Sequence, residues 1–233
     1  MQMGGRTMKK ILIFLLITST FSFAGGNVLY SLDFTKQKDG DAKAWLRSKG
    51  FKFMLEASKL SMKFKGGKLV ISTSGEYAGM IGVKLPSSRY LKNIGSVKIV
   101  WGVDKFPKGA DWAGGNNRLA IGALIALGTE KLSSGLPLGI NAAPPFFGPF
   151  IGEKERVGGR YLGKLYKKGG RYYCVSNKNS GATVTTHFGI SQKYQQEFKK
   201  PAPPVTAFAF QMNTEDTSGG AQAFIKSITF YSK

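Results

Sequence analysis

Val97-Lys98-Ile99-Val100-Trp101-Gly102-Val103 sets Val97, Ile99, Trp101 and Val103 at every second position. Side chains two apart share one face of an extended chain, so this run predicts a strand with an apolar face turned to a core. Leu119 to Leu127 is nearly continuous in apolar and small residues, the pattern of a strand covered on both sides or of a central sandwich strand. Similar short runs lie on either side, at 28–34, 60–64, 68–73, 79–85, 171–176, 205–212 and 223–231. Gly, Ser, Asn and Pro break them apart. Lys65-Gly66-Gly67-Lys68 reads as a hairpin turn that needs positive φ. Helical signals are weak. One short turn is expected at 41–49 around Trp45, and a better one at 191–199, where Ser191 is placed to cap and Tyr194 and Phe198 sit four apart. The Pro- and Gly-rich runs 135–150 and 199–204 read as loops. About ten short strands without internal repeat predict an all-β chain, an antiparallel β-sandwich of the jelly-roll kind with one or two short helices.

Lys plus Arg number 34 against 13 Asp plus Glu, a net charge of +21. With 42% hydrophobic and 20% charged residues the chain has globular composition, not that of a disordered basic tail. One Cys and one His exclude an intrachain disulfide and a zinc site built from several Cys and His. The N-terminus reads as a signal peptide over residues 1–24. Lys9 and Lys10 precede the apolar run 11–17, and Ser22-Phe23-Ala24 supplies a small-x-small cleavage pattern after Ala24. Met8 alone would begin a well-formed signal of this kind. Cleavage removes Arg6, Lys9 and Lys10 and no acid, leaving +18 on one domain over 25–233. No later segment reaches the roughly 18 continuous apolar residues of a membrane-spanning helix. The expectation is a soluble periplasmic or secreted protein, which sets aside the nucleic-acid partner that so basic a chain first suggests.

A series of landmarks resembles domain-of-unknown-function family 3047, bacterial exported proteins of unknown function. The strand 97–103 leads into a loop at Pro107, and Asn116-Asn117-Arg118 precedes the apolar strand 119–127. Tyr172-Tyr173-Cys174-Val175 follows, then the segment 194–198. Asn213-Thr214-Glu215-Asp216-Thr217, with Ala223-Phe224-Ile225 and Ile228-Thr229-Phe230, is the most specific part. The landmarks span roughly residues 28–231. The resemblance implies a galactose-binding-like sandwich that binds carbohydrate. Family members carry paired acids where Asn116 and Asn117 stand, and an acid where Asn213 stands.

Several residues could carry chemistry. His187 is the sole imidazole and Cys174 the sole thiol, and neither lies in a nucleophile motif. Glu153 and Glu155 are spaced to share a strand face, as a pair of glycosidase carboxylates would, although Arg156 and Gly158-Gly159 suit a charged loop equally. Asp33, Glu215 and Asp216 are the candidate oxygen ligands for Ca²⁺, with a plain Asp-containing turn as the alternative. No other cofactor is expected. Positive charge concentrates in two stretches. Residues 36–68 carry ten bases and three acids, and residues 154–171 carry seven bases opposed by Glu155 alone. Aromatics beside bases can stack on sugar rings while the cations meet anionic groups. Trp112, on an expected flexible tip, with Arg118, Tyr161 and Tyr166 are therefore the candidate ligand-binding residues. The function expected is non-enzymatic binding of a glycan or anionic envelope component. The alternatives are a carbohydrate-active hydrolase using Glu153, Glu155 or Asp216, and a periplasmic assembly partner.

Overall fold

The computed structural model describes residues 26–134 and 142–233. The expected signal segment 1–24 and residues 135–141 of the expected loop lie outside them. In chain order the elements begin with β1 (Val28–Asp33), β2 (Gly40–Asp41), α1 (Lys43–Ser48), β3 (Lys52–Leu55), β4 (Ser61–Phe64), β5 (Leu69–Thr73) and β6 (Ala78–Lys84). Then come β7 (Ile94–Lys105), β8 (Leu119–Leu127), β9 (Phe146–Ile151), β10 (Arg160–Tyr161), β11 (Gly170–Ser176) and β12 (Val184–Gly189). The chain closes with α2 (Ile190–Phe198), β13 (Val205–Asn213) and β14 (Ala221–Ser232).

The strands form two seven-stranded sheets. The first runs β12-β7-β14-β5-β4-β2, with β1 also on β14; the second runs β10-β11-β9-β8-β13-β6-β3. This is the expected all-β sandwich. Val97, Ile99, Trp101 and Val103 are buried on β7 as their alternation requires, and Trp101 Nε1 donates to Thr186 Oγ1 at 3.0 Å. β8 is a central strand of the second sheet, between β9 and β13. Its Ile121, Ala123, Ile125 and Leu127 enter the inter-sheet core. From the facing sheet come residues such as Ile99, Ile225 and Phe230, and Phe208 of β13 stands 5.3 Å from Phe230. The β4–β5 hairpin turns at Gly66 and Gly67, with φ of 56° and 68°, conformations that cost a Cβ-bearing residue stability. A Cβ at Gly67 would also approach Thr35 O to 2.9 Å.

Three expectations need correction. β9 lies in a stretch read as loop, and Pro149 is the reason. It has no N–H to give, and β8 pairs with β9 at Phe146, Phe147 and Phe150 but not at Gly148 or Pro149. β9 and β11 pair in parallel, not antiparallel, Phe147 opposite Arg171 and Phe150 opposite Cys174. The chain between them, which carries β10, is long enough for the crossover that a parallel pair needs. Finally, α2 starts one residue early. Its N-cap is Gly189 with no side-chain cap, so Ser191 does not serve as one. The helix ends at Lys199, whose φ is 55°, just before Lys200-Pro201. Tyr194 and Phe198 do share a side, their rings 4.6 Å apart.

Candidate binding cleft

β13 alternates in an instructive way. Phe208, Phe210 and Met212 enter the core, while Ala207, Ala209, Gln211 and Asn213 face outward from the second sheet. Register lines up their neighbours. Ala209 lies between Gly82 and Leu124, Gln211 between Met80 and Gly122, and Ala207 between Lys84 and Ala126. At one side β3 adds Met54 beside Met80 and Lys52 beside Gly82; at the other β9 adds Phe146 beside Ala126. Small residues occupy the middle strands and larger ones the flanks, which leaves a trough of about 660 Å³. The middle is already tight between strands: a Cβ at Gly82 would come within 2.7 Å of the Ala209 Cβ. Tyr172, Phe146, Tyr166 and Tyr90 wall the trough. On its floor Gln211 Oε1 is buried and has no hydrogen-bond partner among the described residues.

Trp112 closes one end. It is 5% exposed, stacks on Phe150 at 4.8 Å and leans on Tyr172 at 4.6 Å. Its Nε1 donates to Arg118 O at 2.9 Å and its backbone N–H to Glu155 Oε1 at 3.1 Å. The segment expected to be a flexible tip is tied down throughout. Gly114 N donates to Asp111 Oδ1 at 2.7 Å, and Asn116 Nδ2 donates to Gly109 O and Asp216 O. Arg118 also lines the trough, with its guanidinium held by the 215–216 turn. Nε donates to Glu215 O at 2.6 Å, and a second nitrogen pairs with the Asp216 carboxylate. Of the four binding candidates, Trp112, Arg118 and Tyr166 therefore reach the trough. Tyr161 does not; it packs against Trp112 and Phe150.

The candidates for catalysis and metal binding are used elsewhere. Glu155 is buried and caps a turn: Oε2 accepts from the N–H groups of Glu153 and Lys154, while Glu153 itself is exposed. The spacing of the two marks a turn, not a strand face. Cys174 is fully buried, donates to Ser176 O at 3.3 Å, and its thiol pKa is pushed up by burial. His187 lies on the exposed face of edge strand β12 of the first sheet, opposite Lys98 of neighbouring β7. Asp33 takes two hydrogen bonds from Thr35, which together hold its carboxyl below the ordinary range. It pairs opposite Ser227, six positions along β14 from Ala221, whereas Asp216 is bound to Arg118 before that strand begins. At roughly 3.3 Å per residue these acids do not share a Ca²⁺. Among the described residues no three His, Cys, Asp or Glu side chains gather into a metal site.

Sequence spacing did not reveal the acid that answers the 154–171 bases. Glu197 of α2 receives Arg160 at 2.8 Å, Arg171 at 2.7 Å and the Tyr173 hydroxyl at 2.6 Å. Burial alone would raise its pKa, but these donors outweigh it and hold the carboxyl at about 2. Nor did spacing reveal the floor, which is assembled by register from separate strands. Its one sequence signal is the Ala207, Ala209, Gln211, Asn213 alternation, too small and polar for a core face.

No family model matches the chain, and no curated protein does. The resemblance to family 3047 gains no support from these comparisons. Among solved structures, a family 29 carbohydrate-binding module from Piromyces equi covers 87% of this chain and 91% of its own at 11% identity, TM-score 0.40. A mutant module of that family complexed with mannohexaose covers 87% and 92% at 11% identity, TM-score 0.39. The metal-free carbohydrate recognition domain of Emp46p covers 88% and 97% at 12% identity, TM-score 0.44. These scores describe a loose likeness, and the strand pairings given above define the sandwich.

Proposed function

We propose that the chain is an exported, non-catalytic binding protein that takes an anionic envelope component into the trough on the outer face of the second sheet. The observation that carries this is one composition. The trough has aromatic walls and is rimmed by Lys52, Lys84, Lys131 and Lys164, and among the described residues its lining includes no Asp, Glu, His or Cys. Its volume falls within the roughly 300–1,000 Å³ of ordinary ligand sites. A hydrolase needs an acid and a base within reach of the scissile bond, and this lining offers neither. A glycan is the second reading, favoured by the Tyr90 and Tyr166 rings toward one end of the trough and by the amides of Asn117 and Asn213 toward the other.

Titration calorimetry with acidic glycans, neutral glycans and anionic lipids, beside an assay for released reducing ends, tests the proposal. Saturable binding without turnover is expected, and turnover of any ligand would overturn it. Mass spectrometry of the protein recovered from the cell envelope should find Gly25 as its first residue.

A further inference from the structure

Three observations at the trough point to one kind of occupant, and they rest on the trough being the ligand site. The floor is apolar. Leu124 lies beside Ala209, Met54 reaches over Gly82 on its other side, and Met80 lies beside Gln211, which brings an amide whose Oε1 is shut away from solvent. A sugar's hydroxyls would lose water over such a floor and gain few partners. The rim exposes apolar side chains: Leu55 is 68% and Leu165 43% exposed. Leu55 and Tyr166 are also held at φ of 55° and 59°, in a region unfavourable to side-chain-bearing residues. Such residues persist where their surroundings enforce them, and they gather at ligand clamps. The third observation is charge. Lys52, Lys84, Lys131 and Lys164 are exposed, and none is ion-paired with a carboxylate among the described residues.

We infer that the occupant is a free, single-chain anionic amphiphile. Its apolar tail lies along the Met54–Leu124 floor between Leu55 and Leu165, and its carboxylate or phosphate head meets the rim lysines. A recessed trough of this volume suits one such molecule, whereas a bilayer surface would call for a protruding apolar face.

Titration of the purified protein with dodecyl phosphate, octyl phosphate, dodecanol and inorganic phosphate tests this. One saturable site for dodecyl phosphate is expected. Affinity should fall roughly fourfold for each methylene removed, as full burial of the tail requires. Dodecanol should bind about tenfold more weakly, and inorganic phosphate should neither bind nor compete. Ala209→Phe and Ala126→Phe, each checked for an unchanged circular dichroism spectrum, should abolish binding by filling the floor. Gln211→Met should leave it equal or tighter, whereas a ligand recognised through its hydroxyls would bind more weakly. Affinity independent of tail length, or competition by phosphate alone, would overturn the inference. So would association only with phosphatidylglycerol vesicles. A neutral sugar that binds where dodecyl phosphate does not, and is blocked by both Phe variants, would overturn the amphiphile and leave the trough as the site. Binding of any ligand untouched by both Phe variants would remove the trough as well.

Discussion

Beside β10 and β11, Arg160 and Arg171 converge with the Tyr173 hydroxyl on Glu197. Across the outer face of the same sheet, Lys52, Lys84, Lys131 and Lys164 surround a trough that contains no acid among the described residues. Both places combine cations with aromatic rings. Arg171 lies over the Phe198 ring at 5.1 Å, and the lysine-rimmed trough is walled by Tyr90, Tyr166 and Tyr172. The difference is the counter-charge. Where the fold supplies a carboxylate, the cations become part of the packing between helix and sheet. Where it supplies none, they keep their charge available above an apolar surface. A high positive charge is thus two things in one molecule, and only the pairing tells them apart.

Substitutions can break that contrast, beginning at the closed end of the trough. Trp112→Ala removes a ring that is nearly all buried and should cost about 3–5 kcal/mol in urea unfolding. If it costs less than about 1 kcal/mol, Trp112 is a ligand platform and not packing. Glu197→Gln should cost about 2–3 kcal/mol, because two guanidinium groups lose their partner in a largely covered place. The sign with pH follows from a carboxyl held at about 2 against an ordinary 4.5. Its contribution is present in full above pH 4.5 and is lost as pH falls toward 2. Thermal melts between these limits should show Glu197→Gln closing the gap with the parent protein.

Smaller effects sharpen the contrast from the other side. Asp216→Asn removes an exposed partner of Arg118 and should cost no more than about 1 kcal/mol. It should also free a cation toward the trough and tighten anion binding, read by calorimetry at low salt. Lys52→Ala with Lys84→Ala should change stability by less than about 0.5 kcal/mol. The same pair should weaken binding of an anionic ligand and flatten its salt dependence, which would separate these lysines from Arg171.

The sandwich was legible where the pattern was strong: alternation at β7, β13 and β14, a continuous apolar run at β8, and the Gly66-Gly67 turn of the β4–β5 hairpin. It was illegible where local chemistry spoke against a strand, at Pro149, or where the strand is two residues long, as at β2 and β10. The site was legible in part. Trp112, Arg118 and Tyr166 stood out by type, and all three reach the trough. Its floor is made of residues unremarkable alone, such as Ala209, Met80 and Leu124, which become a surface only when three strands fall into register. Glu197 was hidden for the same reason: its partners lie 26 and 37 residues away.

β1 pairs with β14, and Ser31 hydrogen-bonds to Thr229 across 198 residues. A chain that emerges N-terminus first, whether from a ribosome or through a pore, therefore holds its earliest strand unmatched until the latest one is out. β14 also pairs with β5 and β7, so the first sheet has no centre before that moment. Long-range pairing of this kind slows folding. Closure of the first sheet therefore waits for the last strand of the chain.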